Sequence, residues 1–88
     1  MKGKTSTGFE FDIDAKEVAN DWELVELLCA SDEGDYSACI KAMKAILGVD
    51  GYNRLKEHVR GQNGKVAASA MKDAFMEVLT LLGNDVKN

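Results

Sequence analysis

The fold is decided near the start of the chain, by the segment Thr5-Ser6-Thr7-Gly8-Phe9-Glu10-Phe11-Asp12-Ile13-Asp14. Within it Phe9, Phe11 and Ile13 alternate with acids, and this period of two is typical of a half-buried β-strand. A single strand is not stable alone. We therefore expect it to pair with residues 1–7 folded back across Gly8, with a later segment, or with another copy of the chain.

We expect helices after the strand. The chain contains no proline, the strongest helix breaker, and this absence favours uninterrupted helices. Asp14 stands three residues before Glu17, and Asn20 three before Glu23, which is the spacing of a capping box. The predicted helices cover about 15–19 and 21–31. Trp22, Val25 and Cys29 share one face of the longer helix, and Leu24, Leu27 and Leu28 widen it. This broad apolar stripe predicts a central position.

The second half of the chain also has helical spacing. Asp35 can cap a helix that carries Ile40, Met43, Ile46 and Leu47, and Gly48 stands where a left-handed stop is expected. A shorter helix from Asp50 places Tyr52, Leu55 and Val59 on one face. A last helix, from about 68 to 82, has the apolar stripe Met71, Phe75, Val78, Leu79 and Leu82. We expect Gly83 to end it.

These patterns predict one domain, 1–88, in which 1–7 and 84–88 are flexible. Its expected fold class is mainly α, with about four helices in a small orthogonal bundle and one short N-terminal β-strand. A chain of 88 residues is enough for one domain and too short for two.

Charge is distributed unevenly along the chain. The segment from Phe9 to Asp35 has ten acids and one base, Lys16, whereas the segment from Tyr36 onward has eight Lys and Arg against five acids. Because nucleic-acid affinity comes from phosphate neutralisation, a net charge of −4 without a basic cluster predicts no nucleic-acid partner. The asymmetry suits protein partners or self-association, and equally an acidic face that keeps a small protein in solution. No apolar run reaches the length of a membrane span.

Catalytic chemistry is not indicated by the residue types present. Cys29 and Cys39 are expected to be reduced, buried and apolar in character, and they lack metal-ligand spacing. His58, the only histidine, lies in the last turn of a predicted helix. A cation at that position interacts favourably with the helix dipole. The acids around Asp32 do not fit a calcium-binding loop, because position 12 would be Met43. We therefore predict no enzyme activity, no metal site and no cofactor.

Aromatic residues near the N-terminus are the candidate partner-binding residues. Phe9, Phe11, Ile13 and Trp22 can simply pack in the core. Alternatively, the strand that contains the first three is an edge strand whose free backbone groups recruit a partner strand.

Several segments resemble the short tail assembly chaperones of siphophages that infect low-GC Gram-positive and gut bacteria. Together they span about residues 5–82. They are Gly8-Phe9-Glu10-Phe11-Asp12-Ile13-Asp14, Asp21-Trp22-Glu23-Leu24-Val25-Glu26, Ile46-Leu47-Gly48, Tyr52-Asn53-Arg54-Leu55-Lys56-Glu57-His58, Asn63-Gly64-Lys65-Val66, Ala70-Met71 and Glu77-Val78-Leu79.

The resemblance implies a non-enzymatic helper, made in the cytoplasm of the bacterial host cell and absent from the finished virion. It implies binding to the phage tape-measure protein and delivery of tail-tube protein to it. The alternatives are a generic interaction or adaptor module of a prophage, or a regulator of a host protein.

The resemblance also implies that many such proteins have a longer form produced by ribosomal frameshifting. The terminal residues Val86-Lys87-Asn88 permit the codon sequence A-AAA-AAC, on which two transfer RNAs can re-pair one nucleotide back. We therefore expect residues 84–88 to form a polar tail that can be extended without disturbing the fold.

Overall fold

The structure is a computed structural model that describes residues 1–87. Its elements are β1 (Lys2–Lys4), β2 (Glu10–Asp12), α1 (Ala15–Ala19), α2 (Trp22–Asp32), α3 (Tyr36–Val59) and α4 (Ala68–Lys87). The predicted mainly α fold with about four helices is confirmed. Across the described range, no helix has both the length and the apolar content needed to cross a bilayer.

The predicted strand is present as β2, and its partner is the chain's own N-terminal segment. The two strands are antiparallel, with Gly3 opposite Phe11. Gly8 lies in the turn between them at φ 96°. The sequence predicts one strand and a flexible 1–7 segment, whereas the structure has a two-stranded hairpin. The polar 1–7 segment is held mainly by its backbone: the Thr5 N–H, for example, donates to the Phe9 carbonyl at 2.9 Å.

The side chains of β2 alternate as its sequence predicts. Phe9, Phe11 and Ile13 are buried in the core, and Glu10 and Asp12 are exposed. The Phe9 and Phe11 rings stack with centroids 6.4 Å apart. The hairpin therefore covers one side of the helices with an aromatic face.

Aspartate residues are the N-caps of α1 and α3. Asp14 Oδ1 accepts a hydrogen bond from the Glu17 N–H at 3.1 Å, and Asp35 Oδ1 accepts one from the Ala38 N–H at 3.1 Å. Both predicted caps are confirmed, since each carboxylate satisfies an N–H that has no partner inside its helix.

The predicted cap at Asn20 is wrong. Asp21 is the N-cap of α2, and its Oδ1 accepts a hydrogen bond from the Leu24 N–H at 3.2 Å. Asn20 instead ends α1, where its backbone N–H donates to the Lys16 carbonyl at 3.1 Å. The two helices follow so closely that one residue ends the first and the next begins the second.

The third helix is bent at Gly48, which has φ 77° and ψ 163°. The predicted positive φ is confirmed. The predicted separation into two helices holds only locally, because helical structure resumes at once and continues to Val59. Only glycine adopts this backbone conformation without strain.

The last helix is longer than its sequence predicts. Its apolar stripe packs inward as expected, but α4 continues through Gly83 to Lys87. The predicted end at Gly83 and the predicted tail over residues 84–87 are therefore wrong. Gly83 has no positive φ, so it does not act as a left-handed cap. Asn88 lies outside the described residues.

The core lies between the hairpin and the four helices. Its fully buried members include Leu55 and Val78. Three predicted core residues, Trp22, Ile40 and Cys29, lie at the surface instead. Ile40 is 40% exposed, and Cys29 is exposed with a free thiol.

Candidate functional site

An open groove lies between α2 and α4 and has a volume of about 670 Å³. We call it the α2–α4 groove. Its apolar lining is Val25, Leu28, Cys29, Cys39, Phe75, Met76 and Leu79. Its polar lining comes from the end of α2, the α2–α3 turn, the start of α3, and Lys72. A concave, mostly apolar surface of this size is typical of a binding site.

The groove exists because α2 and α4 each turn one face toward the core and another toward the gap between them. Leu24 of α2 and Val78 of α4 are buried. Cys29 and Met76, on the other faces, remain exposed, and Met76 has 60% of its surface open to solvent. Met76 lines the groove and extends its apolar surface to the solvent, and a contiguous apolar patch of this kind marks an interaction site.

One end of the groove is the acidic turn between α2 and α3. Gly34, at φ 100°, permits a Schellman motif in which the Asp35 N–H donates to the Ala30 carbonyl at 3.0 Å. Asp35 then caps α3. Because this turn is fixed from both sides, the carboxylates of Asp32 and Asp35 are held beside the apolar lining.

The same end is spanned by a contact between α3 and α4. Lys72 Nζ donates to the Tyr36 hydroxyl at 2.8 Å and lies 4.4 Å from the centre of the Tyr36 ring. The Tyr36 side chain is otherwise exposed. Among the described residues that line the groove, Lys72 is the only basic one, and an aromatic ring and its hydroxyl already engage it.

Trp22 lies at the surface, with 73% of its area exposed. The prediction that it packs in the core is wrong, because Trp22 and Leu24 are about 160° apart around a helix that turns 100° per residue. When Leu24 is buried, Trp22 must point away from the core. It lies one turn before Val25 on the side of α2 that leads into the groove. Its proposed role in partner binding stays a prediction.

Phe9, Phe11 and Ile13 are brought together by the structure, but in the core. At the outer edge of β2, the Glu10 carbonyl accepts a hydrogen bond from Arg54 Nη1 at 3.2 Å. The Arg54 guanidinium also lies 5.2 Å from the Phe9 ring centre. Arg54 therefore occupies a backbone acceptor that an added strand would use. Partner binding by the three hairpin residues remains a prediction.

His58 fastens the hairpin turn to α3. Its Nε2 lies 3.1 Å from the Thr7 carbonyl oxygen and must donate to it, because that oxygen can only accept. The ring centre is 5.7 Å from that of Phe9. The hydrogen bond to Thr7 and the ring contact with Phe9 both join His58 to the hairpin, which is a structural role.

Two side chains with shifted pKa values, Glu57 and Arg60, pair with each other outside the groove. Arg60 lowers the pKa of Glu57, first through a hydrogen bond and then through its charge. Both side chains are at the surface. Within residues 1–87, no three His, Cys, Asp or Glu side chains come together as potential metal ligands.

Sequence reasoning missed most of the groove residues. Met76 offered a signal, since it is an apolar residue on the polar side of α4, between Lys72 and Thr80. Tyr36 and Lys72 are 36 positions apart, and no local pattern connects them. A scan against models of known protein families, a search of curated proteins and a search of solved structures each find no match to this chain.

Proposed function

We propose that this protein is a phage tail assembly chaperone, which binds the tape-measure protein and tail-tube subunits in the cytoplasm of the bacterial host. The partner identities rest on the resemblance of the sequence to that family. The observation that carries a binding role is the open apolar groove and the exposed Met76 on its wall.

The proposed mechanism is reversible covering of apolar segments without any chemical step. A tape-measure protein is long, and its apolar segments need protection until the tube forms around it. A groove between two helices can cover such a segment, while the net charge of −4 keeps the complex from aggregating. Trp22, on the same side of α2, would enlarge the covered area.

Co-expression tests the proposal. The chain is produced with and without the tape-measure protein from the same gene cluster, and soluble tape-measure protein is quantified. We expect the chain to raise the soluble fraction and to co-purify. Met76→Gln should weaken both effects, whereas Val49→Gln should not, since Val49 is equally exposed, at 61% against 60%, but does not line the groove.

Absence of both co-purification and any gain in solubility would contradict the chaperone proposal. Gene order separates it from the adaptor and regulator alternatives. A chaperone gene is expected between the tail-tube and tape-measure genes, and a regulator gene near the lysogeny genes.

A further inference from the structure

We propose that the α2–α4 groove binds one amphipathic α-helical segment of the partner protein, with Lys or Arg placed at the end where Asp32 and Asp35 lie. The proposal deepens the function proposed above and rests on it for the identity of the partner. The occupant's form and charge are argued from the groove itself.

The groove walls favour a helix over an extended strand. Both walls are helices, in α2 and α4, and their backbone groups are already bonded within each helix. A strand lying there would leave its own N–H and C=O groups without partners, at a cost for each buried group. A helix satisfies its own backbone and presents only side chains, as in other helix-in-groove complexes.

The walls also set the length that is recognised. From Val25 to Asp32 and from Lys72 to Leu79 the lining covers seven residue steps on each helix. At 1.5 Å per residue this is about 10 Å, or about two helical turns. An occupant of this length contacts the groove through apolar residues at positions i, i+3, i+4 and i+7. A dimer needs a larger surface, about 800 Å² from each partner.

Charge complementarity sets the polarity of the occupant. Among the ion pairs formed within residues 1–87, none includes Asp32 or Asp35. Lys72, the one base among the described lining residues, donates to the neutral Tyr36 hydroxyl and keeps its positive charge, so it offsets one of the two carboxylate charges. Asp32, Asp35 and Lys72 together leave a net charge of −1 at this end of the apolar groove, and the resulting negative potential attracts a basic side chain and disfavours an acidic one.

Thiol protection measures occupancy directly. The chain has two cysteines, Cys29 and Cys39, and both line the groove. The probes are synthetic amphipathic peptides of about 14 residues, about 21 Å as a helix. They share one Leu and Met stripe and carry Lys pairs at both ends, or Glu pairs at both ends. A third peptide has the Lys pairs and a central proline that prevents a continuous helix. Alkylation by N-ethylmaleimide is followed for each cysteine by mass spectrometry.

We expect the Lys-ended helical peptide to slow alkylation of Cys29 by about tenfold at ten times its Kd, because only the unoccupied fraction reacts. The Glu-ended and proline-broken peptides should protect much less. Met76→Gln should raise the Kd on the order of fivefold, through lost apolar contact. Asp32→Asn should raise it by about twofold to fivefold, in keeping with an exposed ion pair.

Two control variants separate these effects from general ones. Glu33→Gln removes the same charge one position away from Asp32 and outside the groove lining, and Val49→Gln makes an apolar surface residue polar elsewhere. Both should keep the Kd of the parent protein. Circular dichroism confirms that each variant is folded.

Equal protection by the Lys-ended and Glu-ended peptides would overturn the basic occupant. Equal protection by the proline-broken peptide, or none by any peptide, would overturn the helical one. Protection that rises with protein concentration alone would identify a second copy of this chain instead. If the tape-measure protein co-purifies equally with the parent and with Met76→Gln, the groove proposal fails and the proposed function stands. If the Lys-ended peptide binds but the tape-measure protein does not, the groove proposal stands and the proposed function fails.

Discussion

The Phe11 ring lies across Gly3 on the opposite strand. A Cβ atom at position 3 would be 2.4 Å from Phe11 Cζ and 2.7 Å from Cε2. Because Phe11 is only 5% exposed, its ring is held by the core and has little room to shift. The missing side chain at Gly3 is therefore what allows β1 to lie directly over the aromatic face of the core.

The first prediction follows from this contact. Gly3→Ala should destabilise the protein by about 1–3 kcal/mol, the range found for overpacked sites. In a domain of this size each kcal/mol lowers the Tm by about 4–8 °C. Urea and thermal unfolding monitored by circular dichroism measure the change. Stability equal to that of the parent protein would show that the ring and strand can separate at no cost.

In the hairpin, one strand could be predicted from the sequence and the other could not. The alternation of Phe9, Phe11 and Ile13 with acids predicts both the strand and its buried face, because successive side chains of a β-strand point to opposite sides. The partner strand carries no such pattern. It contributes Gly3, which lies under the Phe11 ring. Residues 3 and 11 are on different strands, so no local sequence pattern predicts this contact.

The second prediction concerns the start of α2. Asp21→Ala should lower the free energy of unfolding by about 1 kcal/mol, since it removes the side chain that accepts from the Leu24 N–H. Asn20→Ala is the matched control and should cost less, because the backbone of Asn20 makes its bonds at the end of α1. Chemical denaturation of both variants measures the difference. A larger loss for Asn20→Ala would restore the cap predicted from the sequence.

The groove was less predictable than the fold. Its α2 wall contains Val25 and Cys29, which helical spacing correctly places on one face with Trp22. Whether that face meets the core or solvent depends on which side Leu24 takes, and both sides of α2 are apolar. The packing of α2 against α3 determines which side is buried. That contact is between two helices on either side of a turn, so the spacing within α2 does not predict it.

The third prediction uses the Glu57–Arg60 pair, in which Arg60 Nη2 lies 2.8 Å from Glu57 Oε1. Because the folded-state pKa of Glu57 is lowered, the pair stabilises the fold above the unfolded pKa and loses that effect as pH falls through the folded value. Arg60→Gln should raise the pKa of Glu57 back toward 4.5. Carbon-13 NMR of the carboxyl group during a pH titration measures it.

Lys56→Gln is the control for this pair. Lys56 acts on Glu57 by charge alone and lowers its pKa less than Arg60 does, so its loss should raise the pKa of Glu57 less than the loss of Arg60. A larger rise in Lys56→Gln would mean that the hydrogen bond from Arg60 is not formed in solution. The effect on stability should be small, since both partners are exposed and screened by salt.

The last prediction tests the length of α4 at Gly83. A Cβ atom added there would meet nothing within 4 Å, and the residue has no positive φ. Inside a helix, alanine is favoured over glycine by about 0.5–1 kcal/mol, so Gly83→Ala should stabilise the protein by that amount. Thermal and urea unfolding measure the gain. Gly48→Ala is the contrasting variant and should destabilise, because Gly48 has φ 77°. If α4 instead ended at a left-handed Gly83, as its sequence predicts, both substitutions would destabilise, and the sign of the change at position 83 decides between the two structures.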